Sequence, residues 1–363
     1  MTKKNLLKII LSLFILVIGI LVVNNMTRTK HSIEYRINPD LPVLKEGWQG
    51  NIVIDGRFRN YYASQIKSFG DAFRWMLSRN PQREEKRNDS FRLQVQEFNP
   101  AELQENSLVW LGHDTFLMNL NGIRLMTDPI FFNLPNNRRQ SDLPCSVDDL
   151  TPIDYLLVSH CHRDHFDMRS VRALVRNNPE MKALVPLGGS SLFNNRHLRN
   201  VEVQEAGWFQ EYDISDDIRI IFLPVKHWGR RGLTDTNRVL WGSFLIITPE
   251  TSIFFGGDLA YDQQKFKTIR ELFGDIDICI FPIGAYSPAW FMSQAHVNPE
   301  EAIQAFLDLG GSVFIPMHFG TFDLSDEPMG EPIRRLHQKA MEIGIEHKIR
   351  ELAVGEELLI VKK

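Results

Sequence analysis

Three histidines and an aspartate fall within six residues of this 363-residue chain, in the run Ser159-His160-Cys161-His162-Arg163-Asp164-His165. A lone histidine is usually a hydrogen-bonded structural residue. Four metal-competent side chains placed directly after the apolar stretch Tyr155-Leu156-Leu157-Val158 read instead as a metal site, because neutral imidazole and carboxylate are good ligands for divalent ions. Side chains alternate along an extended chain, so His160 and His162 point to one side and can hold one ion together. Cys161, between them, points the other way. Asp164 and His165 lie one turn further on and can reach a second ion. The donor set suits Zn²⁺, with Fe or Mn also compatible.

Something must hold these groups at the end of a strand. From Leu108 onward the chain has the texture of layered α/β structure. Strand-like runs are expected at 153–158, 182–186, 218–225, 239–247, 251–255, 276–281 and 312–316. Helical patterns are expected at 167–177, 263–273, 299–309 and 329–343. Asn121-Gly122 between two apolar runs is a hairpin turn. The helix after Asn298 is marked by a cap, Pro299 in the first turn, Glu301 three residues past the cap, and Gly310 at its close. Before residue 108, residues 27–60 show no period and read as a tether and wrap. Residues 64–79 have a helical apolar pattern, expected to pack on the core, with an amphipathic helix at a membrane surface as the other reading. Residues 80–90 (NPQREEKRNDS) are expected to form an exposed loop.

Composition narrows the function. Lys and Arg total 41 against 45 Asp and Glu, so no bulk basic surface points to nucleic acid. Three cysteines, Cys145, Cys161 and Cys279, are too few for a disulfide scaffold. Residues 6–23 (LLKIILSLFILVIGILVV) carry one charge, Lys8, and come close to the roughly 20 apolar residues of a spanning helix. A cleaved signal peptide is the rival, but no small-residue cleavage site follows, and the first alanine is Ala63. The expected organisation is therefore a membrane anchor or signal segment over 1–26, a tether and wrap over 27–107, and a catalytic domain over 108–363. The basic tail with Lys3 and Lys4 favours an inward N-terminus and an extracytoplasmic catalytic domain on a single-pass anchor.

The H-x-H-x-D-H run resembles that of the metallo-β-lactamase superfamily, whose fold is an αββα sandwich with a binuclear site at one edge. The resemblance implies a third histidine, a bridging aspartate and a last histidine. His227, Asp258 and His318 each follow a strand-like run in that order. By this resemblance the first zinc takes His160, His162 and His227, the second takes Asp164, His165 and His318, and Asp258 bridges. Asp128 is similar to the family's strand-end aspartate, which orients a ligand. Further stretches are similar to N-acyl-phosphatidylethanolamine-hydrolysing phospholipase D and its bacterial relatives: Val109-WLGHDTFL, Asp128-PIF, His227-Trp228, Val239-LWGSF, Gln294-AHVNPEEA and Met317-HFGTF. Together they cover roughly residues 108–325, with a further match near Asp55.

These features imply a membrane-associated binuclear zinc hydrolase, acting on a phospholipid or other phosphodiester. A metal-dependent hydrolase of another ester or lactone is the alternative, and a non-catalytic membrane-tethered metal-binding protein is a reading from a different class. The residues expected to carry catalysis are Asp164, Asp258 and His296. The resemblance places His296 beside the site, to bind phosphate or protonate a leaving group. His113 stands in a turn near the first strands, open to a functional or a structural role. Arg230 and Arg231 are read as a solvated loop pair, although they could hold an anionic headgroup.

Overall fold

The computed structural model describes residues 32–60, 67–215 and 217–360, without the side chain of Phe69. The apolar stretch 6–23 expected to anchor the chain lies outside them. Among the described residues no helix is long and apolar enough to cross a membrane.

The chain opens with a small antiparallel sheet of β1 (Ile33–Arg36), β2 (Asn51–Ile54) and β3 (Arg57–Phe58). The expected patternless wrap is thus partly strand. Its pairing is set by contacts with the rest of the chain: Val53 and Phe58 are buried in the main core, and the Asn51 side chain accepts from Trp208 N (3.2 Å). Helix α1 (Phe69–Leu77) falls within the expected helical window. Helix α2 (Arg83–Asn88) replaces the expected loop over 80–90. It buries none of its own residues, so it leaves no apolar period to read. Tertiary polar contacts hold it instead, from Gln82 to Glu331 (2.5 Å) and from Lys86 to the Ser325 carbonyl.

Two sheets follow. The first sheet uses β4 (Ser107–Trp110), β5 (Phe116–Leu120), β6 (Ile123–Thr127), β7 (Tyr155–Leu157), β8 (Lys182–Pro186) and β9 (Val203–Ala206). The second runs β10 (Gln210–Glu211), β11 (Arg219–Leu223), β12 (Ser243–Ile247), β13 (Ser252–Phe255), β14 (Ile278–Pro282) and β15 (Val313–Met317) in that order. The last strand, β16 (Glu357–Leu359), joins the first sheet beside β4, giving the order β16-β4-β5-β6-β7-β8-β9. Asn121 and Gly122 both take left-handed φ (51° and 81°) at the β5–β6 turn, as a two-residue type I′ hairpin requires.

Strands buried on both faces carry continuous apolar runs. In β4, Leu108 and Trp110 lie on the face turned to the second sheet, whose Phe222, Phe244 and Phe255 share the facing side, while Val109 faces the outer layer. Helix α3 (Met168–Asn177) supplies Val171 and Leu174 to that outer layer. On the other side, α4 (Gln263–Phe273), a short α5 (Ala289–Met292), α6 (Pro299–Asp308) and α7 (Glu331–Glu342) follow. Phe266 of α4 packs on Phe254 and Phe281, and Phe306 of α6 on Phe314, covering the outer face of the second sheet. Asn298 and Glu301 cap each other's backbone N–H at the start of α6 (2.8 and 3.1 Å), as the sequence predicts. The layers are α, β, β, α.

Strand direction places the site. β6, β7, β8 and β9 are parallel, and so are β13, β14 and β15. β4 and β11 run the same way, each two antiparallel steps from β6 and β13. The exits of β4, β6, β7, β11, β13 and β15 therefore open on one edge. They lead to His113, Asp128, His160, His227, Asp258 and His318 in turn.

Candidate metal centre

The strand exits bring the seven residues predicted as ligands into one cluster. His160 Nε2 lies 2.8 Å from His162 Nδ1, which lies 3.2 Å from His227 Nε2. Asp258 Oδ2 stands 3.7 Å from both His160 Nε2 and His227 Nε2. The same carboxylate faces the other group: Oδ2 is 3.2 Å from His165 Nε2 and Oδ1 is 3.1 Å from His318 Nε2. Asp164 Oδ2 sits 3.6 Å from His165 Nε2 and 3.9 Å from His318 Nε2. Each of these groups keeps its candidate donor atoms within 4.8 Å of one another.

The backbone is forced to make this edge. His113, Asp128 and His318 hold left-handed φ values of 54°, 32° and 59°, which cost non-glycine residues energy and mark over-determined positions. Gly257 (φ +55°) lets β13 approach so closely that a Cβ there would lie 2.7 Å from Ser159 Cβ.

Outer partners set which nitrogen faces inward. His227 Nδ1 donates to the Ala295 carbonyl (2.8 Å) and His165 Nδ1 to Asp128 Oδ2 (2.8 Å), since those oxygens accept. Ser159 Oγ gives its single proton to Asp128 Oδ2 (2.5 Å) and so accepts from His160 Nδ1 (2.9 Å). His160 and His227 then turn an unprotonated Nε2 into the cluster, and His165 directs its Nε2 the same way. Asp128 Oδ1 also accepts from Ser159 N (2.7 Å), so this one aspartate orients two candidate ligands.

Burial shapes the charges. It pushes the pKa values of His160, His227 and His318 well below the ordinary imidazole value and that of His162 to about 4, leaving lone pairs available. Burial acts on His165 in the same direction, but Asp258, Asp164, Asp114 and the bond to Asp128 hold its pKa well above normal. Burial opposes the ionisation of Asp164 and Asp258, yet the imidazoles around them, His165 and His318 first, keep both well below the carboxylate range. A cation supplies the positive charge that these carboxylates otherwise draw from protons. His165 Nε2, His318 Nε2 and Asp258 Oδ1 are buried and make no hydrogen bond. Such atoms, facing one another in a mixed imidazole–carboxylate set, fit a bound divalent cation.

Around this centre several placements sharpen the reading. His296 stands at the rim, with Nδ1 3.8 Å from Asp258 Oδ1 and making no hydrogen bond. His113 Nε2 lies 3.4 Å from Asp164 Oδ2, and its ring packs 4.2 Å from that of His318. Cys161 turns away into the apolar outer layer, where burial pushes its thiol up to about 12. Arg231 is not the solvated residue expected: its Nη1 donates to the carbonyls of Cys161, His162 and Phe166 (2.9, 3.2 and 2.8 Å), bracing the loop that carries four of the cluster's side chains. Arg230 packs over Trp228 at 5.2 Å, and Trp228 in turn abuts His162. An open groove of about 570 Å³ runs from His162 and Asp164 past Arg163, Arg230 and Leu233.

Asp114 escaped the sequence reading. It is fully buried, its Oδ2 lies 3.4 Å from His165 Nδ1, and neither oxygen makes a hydrogen bond. Burial raises its pKa well above normal, against the pull of the neighbouring His165. The signal was an acidic residue inside the apolar run Val109-WLGHDTFL.

The Beta-lactamase superfamily domain profile matches residues 124–319. The chain is similar to N-acyl-phosphatidylethanolamine-hydrolyzing phospholipase D 1 of Caenorhabditis elegans, with 34% identity over 233 residues, 61% of this chain and 64% of that protein. It is similar to the mitochondrial N-acyl-phosphatidylethanolamine-hydrolyzing phospholipase D of Saccharomyces cerevisiae, with 32% identity over 241 residues, 64% of this chain and 51% of that one. The matches thus span less than two thirds of either relative's length. Among solved structures, the isothiocyanate hydrolase from Delia radicum gut bacteria aligns with a TM-score of 0.58 at 17% identity, over 70% of this chain and 99% of that one. This last likeness is one of fold.

Proposed function

The chain belongs to the beta-lactamase superfamily and is one of its metal-dependent hydrolases; from that premise we propose that it holds two zinc ions and cleaves a phosphodiester of a membrane phospholipid, of the N-acyl-phosphatidylethanolamine type. The observation that carries the binuclear reading is Asp258, whose two oxygens face both imidazole groups at 3.1–3.7 Å. The first ion takes His160, His162 and His227. Asp164, His165 and His318 would hold the second, with Asp258 available to both. When bound, the two ions supply Lewis-acid polarisation of a phosphoryl oxygen and make water a nucleophile near neutral pH.

The remaining work falls to the chain's own side chains. Asp164 Oδ2, held by His113 Nε2 at 3.4 Å, orients the attacking water and accepts its proton. His296, at the rim and within 3.8 Å of Asp258, gives a proton to the departing alkoxide. Arg163 and Arg230 border the groove leading from the centre and favour an anionic diester. Water attacks phosphorus, the bond to the ethanolamine oxygen breaks, and phosphatidic acid and N-acylethanolamine form in equal amounts. The apolar stretch 6–23 anchors the chain beside its substrate, with the catalytic domain outside the cytoplasm.

The test is a product analysis. Purified full-length protein incubated with vesicles containing N-acyl-phosphatidylethanolamine should release both products in a one-to-one ratio by mass spectrometry. A chelator should stop the release and zinc should restore it. Cleavage of lactones or carboxyl esters with none of phospholipids would replace this substrate class with another.

A further inference from the structure

Helix α1 is capped by Ser68 and Asp71, which satisfy each other's backbone N–H, so its start is well determined. A surface helix ordinarily turns its apolar side to the core. Among the described side chains of α1, only Trp75 does so clearly, stacking on Phe291 of α5 at 5.0 Å and donating Nε1 to Asp326 (3.2 Å). Phe73, Met76 and Leu77 face outward, 61%, 79% and 72% exposed. Next to them Trp290 of α5 is 40% exposed, with Arg74 4.9 Å and Lys67 6.0 Å over its ring. Lys67, Arg74 and Arg79 stand against one acid, Asp71, over residues 67–79.

We propose that α1 and α5 form a docking face for the anionic headgroup region of a bilayer, beside the mouth of the metal centre. Exposed large apolar side chains, a tryptophan at their margin and cations around them are the composition of an interfacial element: the rings and aliphatic chains enter the acyl boundary while the cations meet lipid phosphates. A water-facing surface has no use for three large exposed apolar groups within five residues. The tether agrees with a bilayer partner. Eight residues, 24–31, separate the end of the apolar stretch from Ser32, and at about 3.3–3.6 Å each they reach no more than about 30 Å.

The face is wired to the site. Met292 O, at the end of α5, accepts from Ala295 N (2.9 Å) and His296 N (3.0 Å), and Ala295 O holds His227 Nδ1 (2.8 Å). The segment that presents Trp290 to lipid is thus the segment that carries His296. The proposal rests on the phospholipid reading only for its effect on turnover.

The experiment uses the full-length chain carrying Met76→Cys labelled with bimane, in vesicles of phosphatidylethanolamine and phosphatidylglycerol with or without brominated acyl chains. Leu359→Cys is the control, since β16 pairs Leu359 with Ser107 at the start of β4, away from the metal edge. Brominated lipid should lower the emission at position 76 by roughly twofold or more and leave position 359 unchanged. Neutral phosphatidylcholine vesicles should quench position 76 less. The triple variant Phe73→Ser, Met76→Ser, Leu77→Ser should keep its melting temperature and its rate on a water-soluble diester, while kcat/KM on vesicle-embedded phospholipid falls about tenfold. Equal quenching at 76 and 359, or none at 76, overturns the proposal even if phospholipid is hydrolysed. Quenching at 76 without phospholipid hydrolysis keeps the docking face and overturns the substrate reading instead.

Discussion

At the metal edge polar groups are buried, and on α1 apolar groups are exposed. His165, Asp114 and Asp128 have no accessible surface, whereas Phe73, Met76 and Leu77 have most of theirs. Both invert the ordinary rule that apolar side chains go inside and charged ones out. A buried polar cluster persists only where something satisfies it, and here the donor set calls for cations. An exposed apolar cluster persists where an outside surface receives it. The two regions therefore differ in how sharply sequence and fold fix them. The metal edge is held by six strand exits and a web of hydrogen bonds. α1 is held by one cap, by Trp75 stacked on Phe291 and bonded to Asp326, and by Arg74 over Trp290.

The largest effect should come at the residue shared by both candidate ions. Asp258→Asn keeps the shape and removes the negative charge that faces five imidazoles. Metal analysis should show fewer than two zinc ions per chain, and activity should fall well beyond the roughly 10–100-fold that loss of an outer partner costs. Full metal content with normal rates would overturn the bridging role. Asp128→Ala is the next step down. It strips the acceptor from Ser159 and His165, so zinc affinity should fall roughly 10–100-fold with the fold retained. Equal affinity for zinc in the two proteins would show that the imidazoles orient themselves.

Arg231→Ala should act through the loop. Three backbone carbonyls lose a charged donor, so the melting temperature should drop by the equivalent of about 2–3 kcal/mol, with Arg231→Lys recovering part of it. An unchanged melting temperature would return Arg231 to the solvated role expected from sequence. Acidification of the chelated protein tests the buried imidazoles. His113, His160, His162, His227 and His318 have folded pKa values below the unfolded one, so the unfolded chain takes up more protons. Their contribution is present above about pH 6.5 and is lost as pH falls toward about 4, the value of His162, by up to about 1.4 kcal/mol per group per pH unit. His165, with its raised pKa, works the other way and offsets part of the loss. Calorimetry across that window should show falling stability, and zinc should restore it.

The same contrast explains what could be read from the sequence. Strand β8 at 182–186 and helix α4 at 263–273 lie where the apolar pattern puts them, because each is defined by local periodicity. The metal run was legible because chemistry and strand end coincide over a few residues. α2 was not, since REEKRN carries no apolar period and is held from outside by Glu331 and Ser325. Arg231 was missed because its partners are backbone carbonyls of residues about 65–70 positions away, which no side-chain pattern records. Asp114 was missed because a single acid in a turn gives no sign of burial until the second sheet closes over it.

The smallest effect on the chemistry should come from the other end of the chain. Deleting residues 1–26 removes the apolar stretch but none of the candidate ligands, which all lie between His160 and His318 on the exits of the two sheets. Zinc content, melting temperature and the rate on a water-soluble diester should therefore match those of the full chain. On the proposed reading, activity on bilayer-embedded phospholipid should fall, because an anchor at 6–23 would confine the enzyme to the plane of its substrate and raise the effective concentration of a lipid that water cannot carry. The fall should be partial where α1 still meets the bilayer, and should deepen when Phe73, Met76 and Leu77 are replaced by serine in the shortened chain. Loss of zinc and aggregation on truncation would instead place the stretch 6–23 in the core, and would break the contrast between a self-sufficient metal edge and a membrane-facing N-terminus.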